Sequence, residues 1–251
     1  MANSPSGDSV TERIVRILET FSADRTLQTV ADIGRRAGLP SSTAHRQVDA
    51  LVEAGLLERD DDSRVRLGMR LWELALRGSA ALRLRQAAMP FMERVQAAIR
   101  EHTQLAVLEQ DEALFLERLS SPDSGANITR IAGRLPLHAS SSGLVLLAYG
   151  GVELQERVLA GPLARLAPET ITDAAALRRA LAGIRRRGFV VAPGSIEAVS
   201  TGVAVPIRDA SGEAIAALSV VLPRETPTAA ALEELQAAAA GIRSALAADR
   251  R

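Results

Sequence analysis

Residues Thr29–Leu67 contain two short helical patterns followed by two short alternating segments, an order that few folds share. The first helical pattern, Thr29–Gly38, has a capping-type start and inward-facing apolar residues at helical spacing. After a tight turn, the second runs from about Ser41 to Gly55. The segments Leu56–Arg59 and Arg64–Gly68 alternate around a polar turn, which predicts a β-hairpin. The sequence therefore predicts a helix-turn-helix followed directly by a hairpin wing.

The region before this pattern predicts a tail and one more helix. Residues 1–8 are small and polar, and we expect them to form a disordered tail. Ser9 and Glu12 have the spacing of a capping box, which predicts a helix that begins at Ser9 or Thr11. We therefore expect a winged helix-turn-helix domain over residues 9–68.

The region after the hairpin is helical in pattern from Met69 to about His102. Breaks are predicted near Gly78 and Pro90 because these residue types interrupt helices. We expect residues 69–88 to form a linker helix that also provides a dimerisation surface.

Residues 89–251 mix strand and helix patterns, which predicts an α/β sensor domain with a mainly antiparallel sheet. With the helical first domain, the fold class of the whole chain is α+β. The predicted strands are Gln104–Glu109, Ala113–Leu119, Phe189–Ala192, Gly202–Arg208 and Ile215–Leu222. The predicted helices are Ser142–Tyr149, Leu154–Leu159, Asp173–Arg187 and Thr228–Ala248.

Composition excludes several classes of site. The chain has no cysteine, so disulfides, thiolate zinc sites and thiol nucleophiles are excluded, and its three histidines lie far apart in the sequence. We therefore expect neither a metal nor a cofactor. The longest apolar run, Gly143–Gly151, is too short to span a bilayer, and no secretory signal is evident, so we expect a cytoplasmic protein without a membrane partner.

The formal net charge is zero, and all 30 basic residues are arginines. A zero net charge still permits a local DNA-binding face, and a guanidinium group can form two hydrogen bonds to phosphate or guanine where an ammonium cannot. The candidates are polar residues that begin the second helix of the motif, together with arginines on the preceding helix and on the wing. They are Arg35, Arg36, Ser41, Ser42, Thr43, His45, Arg46 and Arg64. Taken singly, each of these has a simpler interpretation as a solvated arginine or a helix cap.

The sequence from Ala31 to Ala75 resembles the DNA-binding domain of IclR-type transcription regulators. The segments Arg134–Ala148, Arg185–Val191 and Gly202–Pro223 resemble the sensor domain of the same family. This resemblance covers nearly the whole chain in the right order. It implies a GAF-like effector-binding domain and homodimers, or dimers of dimers, bound to palindromic double-stranded DNA.

A small organic acid can bind backbone amides at the start of a helix, and the run His138–Gly143 precedes such a helix. The family resemblance assigns effector contacts to Ser141, Ser142 and Gly143. We expect the other contacts to come from His138 and from an opposite wall formed by Ala192, Thr201, Gly202 and Ser219. The alternative interpretation is that the serines only cap the helix and that His138 is a buried structural residue.

Departures from the family pattern at three positions bear on the identity of the effector. Members of the family often have an acidic residue near the position of Ala192 and a cysteine at the position of Gly202. It also commonly has a second hydroxyl residue at the position of Val221. The pocket should therefore offer more room and fewer side-chain hydrogen bonds, so we expect an aromatic or branched acid rather than a two- or three-carbon keto acid.

Two other functions compete with a ligand-responsive regulator. A hydrolase is suggested by His138 near several serines, although the sequence has no G-x-S-x-G nucleophile elbow, and no enzyme activity is expected. The second competing function is that of a helix-turn-helix protein whose second domain is purely structural and binds no effector. That protein would have no hollow pocket behind Ser141 and Ser142.

Overall fold

The structure of the 251-residue chain is a computed structural model that describes residues 8–22, 24–122, 124, 128–209 and 211–248. The chain divides into two compact units, Met1–Leu82 and Arg83–Arg251. Most of the predicted tail lies outside the described residues. Asp8 is described, and its carboxylate accepts a hydrogen bond from Arg16 at 2.6 Å.

The first unit contains the predicted helix-turn-helix and wing. Its elements are α1 (Val10–Glu19), α2 (Val30–Arg36), α3 (Ser41–Glu53), β1 (Leu57–Arg59), β2 (Val65–Leu67) and α4 (Met69–Leu76). Strands β1 and β2 are antiparallel and form the wing. Ile17, Ile33 and Leu57 are fully buried in one apolar core that joins α1–α3 to the wing.

The helix ends in this unit follow the local sequence. Ser9 and Glu12 form the predicted capping box at the start of α1. The hydroxyl of Thr29 accepts from the N–H of Asp32 at the start of α2. After α2, Gly38 adopts a left-handed conformation with φ of 64°, which a glycine allows without steric cost.

The predicted break at Pro90 is wrong. Helix α5 (Ala80–Ile99) continues through Pro90 and ends before His102, which begins a strand. A proline inside a helix costs about 3 kcal/mol or more. The spacing of Leu84, Ala88 and Met92 buries one face of α5 in the core of the second unit, and this burial offsets that cost. The predicted break near Gly78 separates α4 from α5, so residues 69–88 include two helices.

The second unit contains a six-stranded sheet whose neighbouring strands are all antiparallel, as predicted, in the order β5-β4-β3-β8-β7-β6. The strands are β3 (His102–Glu109), β4 (Glu112–Leu119), β5 (Arg134–Pro136), β6 (Val190–Pro193), β7 (Ser200–Arg208) and β8 (Ala214–Pro223). The helices are α6 (Ser141–Tyr149), α7 (Val152–Ala160), α8 (Ala174–Arg187) and α9 (Ala229–Ala248). Strand β5 was not predicted, because three residues that end in proline carry too little alternation to indicate a strand.

The sheet has an apolar core on each face. Helices α5 and α9 pack on one face, against residues such as Val203 and Val205. On the other face, α6–α8 pack against small side chains that include Ala106, Ala204 and Ala217. Eight of the nine residues of α6 are buried, which explains why its sequence is an almost continuous apolar run. Among the described residues, no helix is both long enough and apolar enough for a bilayer span.

Candidate DNA-binding surface and effector pocket

The beginning of α3 is exposed, and its serines do not act as caps. The N-cap is Pro40, whose ring has no group that can cap, so Ser41 and Ser42 occupy the first turn with exposed side chains. His45 and Arg46 are also exposed, one turn further along. This end of α3 therefore presents hydroxyl, imidazole and guanidinium groups to solvent, as a helix that enters a DNA groove must.

The opposite face of α3 is buried. Ala44 and Val48 pack into the core of the first unit, and a Cβ added to Gly34 of α2 would lie 2.9 Å from the Cβ of Ala44. Gly34 thus allows α2 and α3 to approach closely. The packing leaves Ser42 and Arg46 outward, which the DNA-binding interpretation requires.

The other predicted DNA-binding residues have different surroundings. Arg35 pairs with Asp32 on α2, and the pKa of Asp32 is lowered first by the hydroxyl of Thr29 and then by Arg35. Arg36 is exposed at the end of α2. The Nδ1 atom of His45 lies 2.9 Å from the carbonyl oxygen of Ser41, so the ring lies along its own helix.

Two ion pairs that were not predicted hold the wing, one to α3 and one across the hairpin. Arg59 of β1 donates to Asp49 of α3 at 2.5 Å, and Arg66 donates to Glu58 across the hairpin at 3.0 Å. The pairing of β1 with β2 places Glu58 opposite Arg66, so this second pair was predictable from the hairpin register. The wing also carries Arg64. Unlike Arg59 and Arg66, Arg64 has no ion pair within the described part of the chain.

A cavity lies in the second unit where α6 begins, against the sheet and the connection between β6 and β7. The empty space in it and at its open mouth, solvent included, is about 420 Å³. Its apolar walls are formed by Phe115, Ile128, Leu135, Ile196 and Val221. The other described residues around it are Gln104, Thr129, Ala139, Ser140, Ser141, Ser142, Ala192, Ser195, Glu197, Ser200 and Gly202.

Four of the predicted effector-binding residues line this cavity: Ser141, Ser142, Ala192 and Gly202. The close approach of α6 to β7 depends on Gly202, because a Cβ there would lie 2.6 Å from the Oγ of Ser141. A side chain at this position would therefore collide with Ser141 at the edge of the cavity.

The other four predicted residues do not line the cavity. The Nε2 atom of His138 lies 2.9 Å from the carbonyl oxygen of Ala164, so the ring is satisfied elsewhere. Thr201 donates to the carbonyl oxygen of Arg224, because side chains alternate along β7 and its neighbour Gly202 faces the cavity. Gly143 packs against Leu137, and Ser219 lies behind Ser142.

A chain of polar groups extends from Ser142 into the sheet. The hydroxyls of Ser142 and Ser219 are 2.9 Å apart, and the hydroxyl of Ser219 donates weakly to Gln104 at 3.4 Å. The side-chain amide of Gln104 in turn donates to the hydroxyl of Thr129 at 2.6 Å. Sequence reasoning missed Gln104 and Thr129, although a glutamine within the apolar pattern of β3 was a usable signal.

The polar groups of the cavity suit an acid with an apolar body. Ser140 caps α6 by accepting from the N–H of Gly143, and the hydroxyl of Ser141 and the backbone amides of Ser141 and Ser142 lie at the positive end of the helix. Glu197 is the only ionisable residue among the described residues of the lining. A carboxylate in this cavity would therefore be held by neutral donors. No group of three or more histidine, aspartate or glutamate side chains in the described ranges could hold a metal ion.

Comparison with known proteins matches both units to one family. The model of the IclR helix-turn-helix domain matches residues 10–61, and the model of the bacterial transcriptional regulator IclR C-terminal domain matches residues 79–245. The chain is 62% identical to an IclR homolog of Microbacterium hydrocarbonoxydans that was crystallised with 4-hydroxybenzoate. That match covers 96% of this chain and 100% of the other, with a TM-score of 0.92.

Two further relatives are transcriptional regulators. XynR of Escherichia coli (strain K12) is 29% identical over 211 residues, which is 83% of this chain and 84% of that protein. BhcR of Paracoccus denitrificans (strain Pd 1222) is 30% identical over 230 residues, with 88% and 80% covered. The chain therefore belongs to the IclR family of bacterial transcriptional regulators.

Proposed function

We propose that this regulator binds a palindromic operator sequence-specifically and that an aromatic carboxylic acid controls its affinity for DNA. The observation that carries the DNA-binding part is the exposed polar end of α3, whose opposite face is held in the core. Because a regulator must reach the chromosome, we also propose that it acts in the cytoplasm.

The proposed DNA contacts are divided between reading bases and holding phosphate. Arg46, with Ser42, His45 and their neighbours Ser41 and Thr43, would face the major groove from α3. Arg35 and Arg36 at the end of α2, and Arg64 on the wing, would contact the phosphate backbone. Arg64 is the most available wing arginine, because Arg59 and Arg66 are held by carboxylates.

The effector would bind in the cavity of the second unit. Its carboxylate would accept hydrogen bonds from the hydroxyl of Ser141 and the backbone amides of Ser141 and Ser142, and its ring would lie against walls such as Phe115 and Leu135. The small residues Ala192 and Gly202 leave room for a ring. The homolog crystallised with 4-hydroxybenzoate supports this class of effector, because it is 62% identical to this chain.

The proposed assembly is a homodimer, or a dimer of dimers. Met69 and Trp72 of α4 are each 61% exposed, and Leu76, one turn further on, is 41% exposed. Their spacing places them on one face of the helix, and a second copy of this face is the occupant we propose. Two subunits would then read half-sites about one helical turn apart.

The cavity and the surroundings of His138 favour this function over the two alternatives. A purely structural second domain would need no cavity beside Ser141 and Ser142. A hydrolase would need His138 aligned on a serine hydroxyl, whereas its Nε2 atom faces the carbonyl oxygen of Ala164 and Ser140 caps α6.

The experiment that tests the proposal is a gel-shift assay on the DNA upstream of the protein's own gene, repeated with benzoate, 4-hydroxybenzoate, pyruvate and glyoxylate. We expect a specific shift that weakens as salt rises, and a change in affinity with the aromatic acids alone. A shift that no acid alters would refute the effector part, and binding that does not depend on the DNA sequence would refute the operator part.

A further inference from the structure

The connection between β6 and β7 holds Glu197 at the effector pocket. The backbone N–H of Ser200 donates to the carbonyl oxygen of Glu197 at 3.1 Å. Two hydrogen bonds of 2.6 Å fix the start of the same connection, from Thr170 to the carbonyl oxygen of Ser195 and from the hydroxyl of Ser195 to Ala139. The backbone that carries Glu197 is therefore well anchored.

The Glu197 carboxylate has no ion-pair partner among the described residues. The nearby guanidinium of Arg224 donates instead to the carbonyl oxygen of Ala198 at 3.1 Å and pairs with Glu169 at 3.4 Å. Glu197 therefore brings a negative charge without an ion-pair partner to a lining whose other described residues are neutral polar groups and apolar side chains.

The backbone of Glu197 and the hydroxyl of Ser141 lie at different positions along the cavity. Ser141 is next to Gly202 of β7, whereas the backbone carbonyl oxygen of Glu197 accepts from the N–H of Ser200, two residues earlier on the same strand. Two residues of a strand span roughly 7 Å. A carboxylate ligand beside Glu197 would be repelled, so the acid group of the effector belongs at the Ser141 end.

We infer that Glu197 selects effectors with a hydrogen-bond donor opposite the acid group, by accepting a hydrogen bond from a para-hydroxyl. This inference rests on the aromatic-acid effector proposed above. A phenolic O–H that donates to a carboxylate makes a stronger hydrogen bond than one between neutral groups. A bare ring would instead leave the carboxylate facing an apolar group, which is unfavourable when water is excluded. Glu197 would thus favour 4-hydroxybenzoate over acids of similar size without the donor.

The test is calorimetric titration of the full chain with 4-hydroxybenzoate and with 4-fluorobenzoate, which has a similar shape but no donor. The variants are Glu197→Gln and, as a matched control, Glu225→Gln, which removes an exposed carboxylate from the segment after β8. In the wild type, the Kd for 4-fluorobenzoate should exceed the Kd for 4-hydroxybenzoate. We expect the ratio of the first Kd to the second to fall about tenfold in Glu197→Gln, chiefly through loss of 4-hydroxybenzoate affinity. The ratio should not change in Glu225→Gln. Thermal unfolding of each variant verifies that it is folded.

The titrations distinguish a failure of the role of Glu197 from a failure of the aromatic effector. If the wild type binds both acids and Glu197→Gln leaves the ratio unchanged, the role of Glu197 is refuted and the aromatic effector stands. If the wild type binds neither acid, both the effector class and the role of Glu197 are refuted. Equal affinity of the wild type for the two acids also refutes the role of Glu197.

Discussion

The proposed reading of bases by α3 depends most on Arg46. It is exposed one turn into the helix. We expect Arg46→Ala to weaken operator binding by about 1–3 kcal/mol, or roughly 5- to 150-fold, because a contact from a guanidinium to a base or phosphate is lost. Fluorescence anisotropy with labelled operator DNA measures the change.

The matched control for Arg46 is Arg179→Ala, which removes an exposed arginine from α8, outside the helix-turn-helix. Affinity should not change in this control, and both variants should unfold at the wild-type temperature. Wild-type affinity of Arg46→Ala for the operator would remove Arg46 from the proposed contacts.

Gly202 limits how closely α6 can approach β7 at the proposed effector pocket. A Cβ at this position would lie 2.6 Å from the Oγ and 2.9 Å from the Cβ of Ser141, closer than real contacts allow. We expect Gly202→Ala to displace Ser141 and to weaken effector binding by about 1–3 kcal/mol, the usual cost of overpacking. Operator binding without effector should be retained. Calorimetry with 4-hydroxybenzoate and gel shifts on the same preparation measure the two properties.

Gly78→Ala provides the comparison for Gly202→Ala. No atom lies within 4 Å of a Cβ at Gly78, so effector affinity should stay at the wild-type value. Unaltered effector affinity in Gly202→Ala would show that the acid does not bind beside Ser141.

The position of a site residue was predictable where it depends on neighbours in the sequence. It was less predictable where it depends on contacts between distant segments. Ser141 and Ser142 were expected at the pocket because they begin a helix, and they line it. Thr201 was also expected there, but its register on β7 turns it toward Arg224. Gln104 and Thr129 are 25 residues apart in the sequence and come together only because β3 packs beside the later segment. A local sequence pattern cannot predict such a contact.

At the level of elements, the start of α4 is stabilised from the wing. Gly68, the N-cap of α4, has no side chain, and the carboxylate of Glu58 on β1 accepts from the N–H of Met69 at 2.9 Å. This hydrogen bond, and secondarily Arg66, lower the pKa of Glu58 below its ordinary value of 4.5. The ionised carboxylate therefore stabilises the folded first unit.

That stabilisation is fully present above the ordinary pKa and is lost as the pH falls through the lowered pKa of the folded state. We expect Glu58→Gln to lower the unfolding temperature near neutral pH, and the difference from wild type to narrow below about pH 4.5. Thermal melts across this pH range measure the effect. Glu73→Gln, an exposed carboxylate on α4, should match wild type throughout. A difference that does not depend on pH would refute the role of the Glu58 charge.

Helix α5 shows how tertiary packing can override a local rule. The proline at position 90 predicted a break, yet the helix continues to Ile99. Ala88 and Met92, on either side of Pro90, are fully buried against the sheet. A helix that presents one continuous apolar face to a core can retain a proline whose local cost would end an isolated helix.

For the whole molecule, the proposed dimer depends on the exposed apolar face of α4. Trp72 is 61% exposed, and large aromatic residues dominate the energetics of interfaces. We expect Trp72→Ser to weaken self-association at least about tenfold and to reduce the affinity for a palindromic operator. Sedimentation velocity over a range of concentrations measures the association.

Val152→Ser is the control for Trp72, since Val152 is an exposed apolar residue of α7 that has no part in the proposed interface. Its sedimentation should match that of the wild type. A Trp72→Ser protein that associates like the wild type would refute this surface as the dimer contact.

Most helices and strands, including the wing, were evident from local patterns, because capping residues and side-chain periodicity act over only a few residues. The same short range explains how the exposed end of α3 was predicted. The effector cavity was decided by packing between distant segments. Gly202, Gln104 and Glu197 meet around α6 only after the sheet has fixed its strand order and register. Which side chains face that cavity is a long-range property, and only the folded chain specifies it.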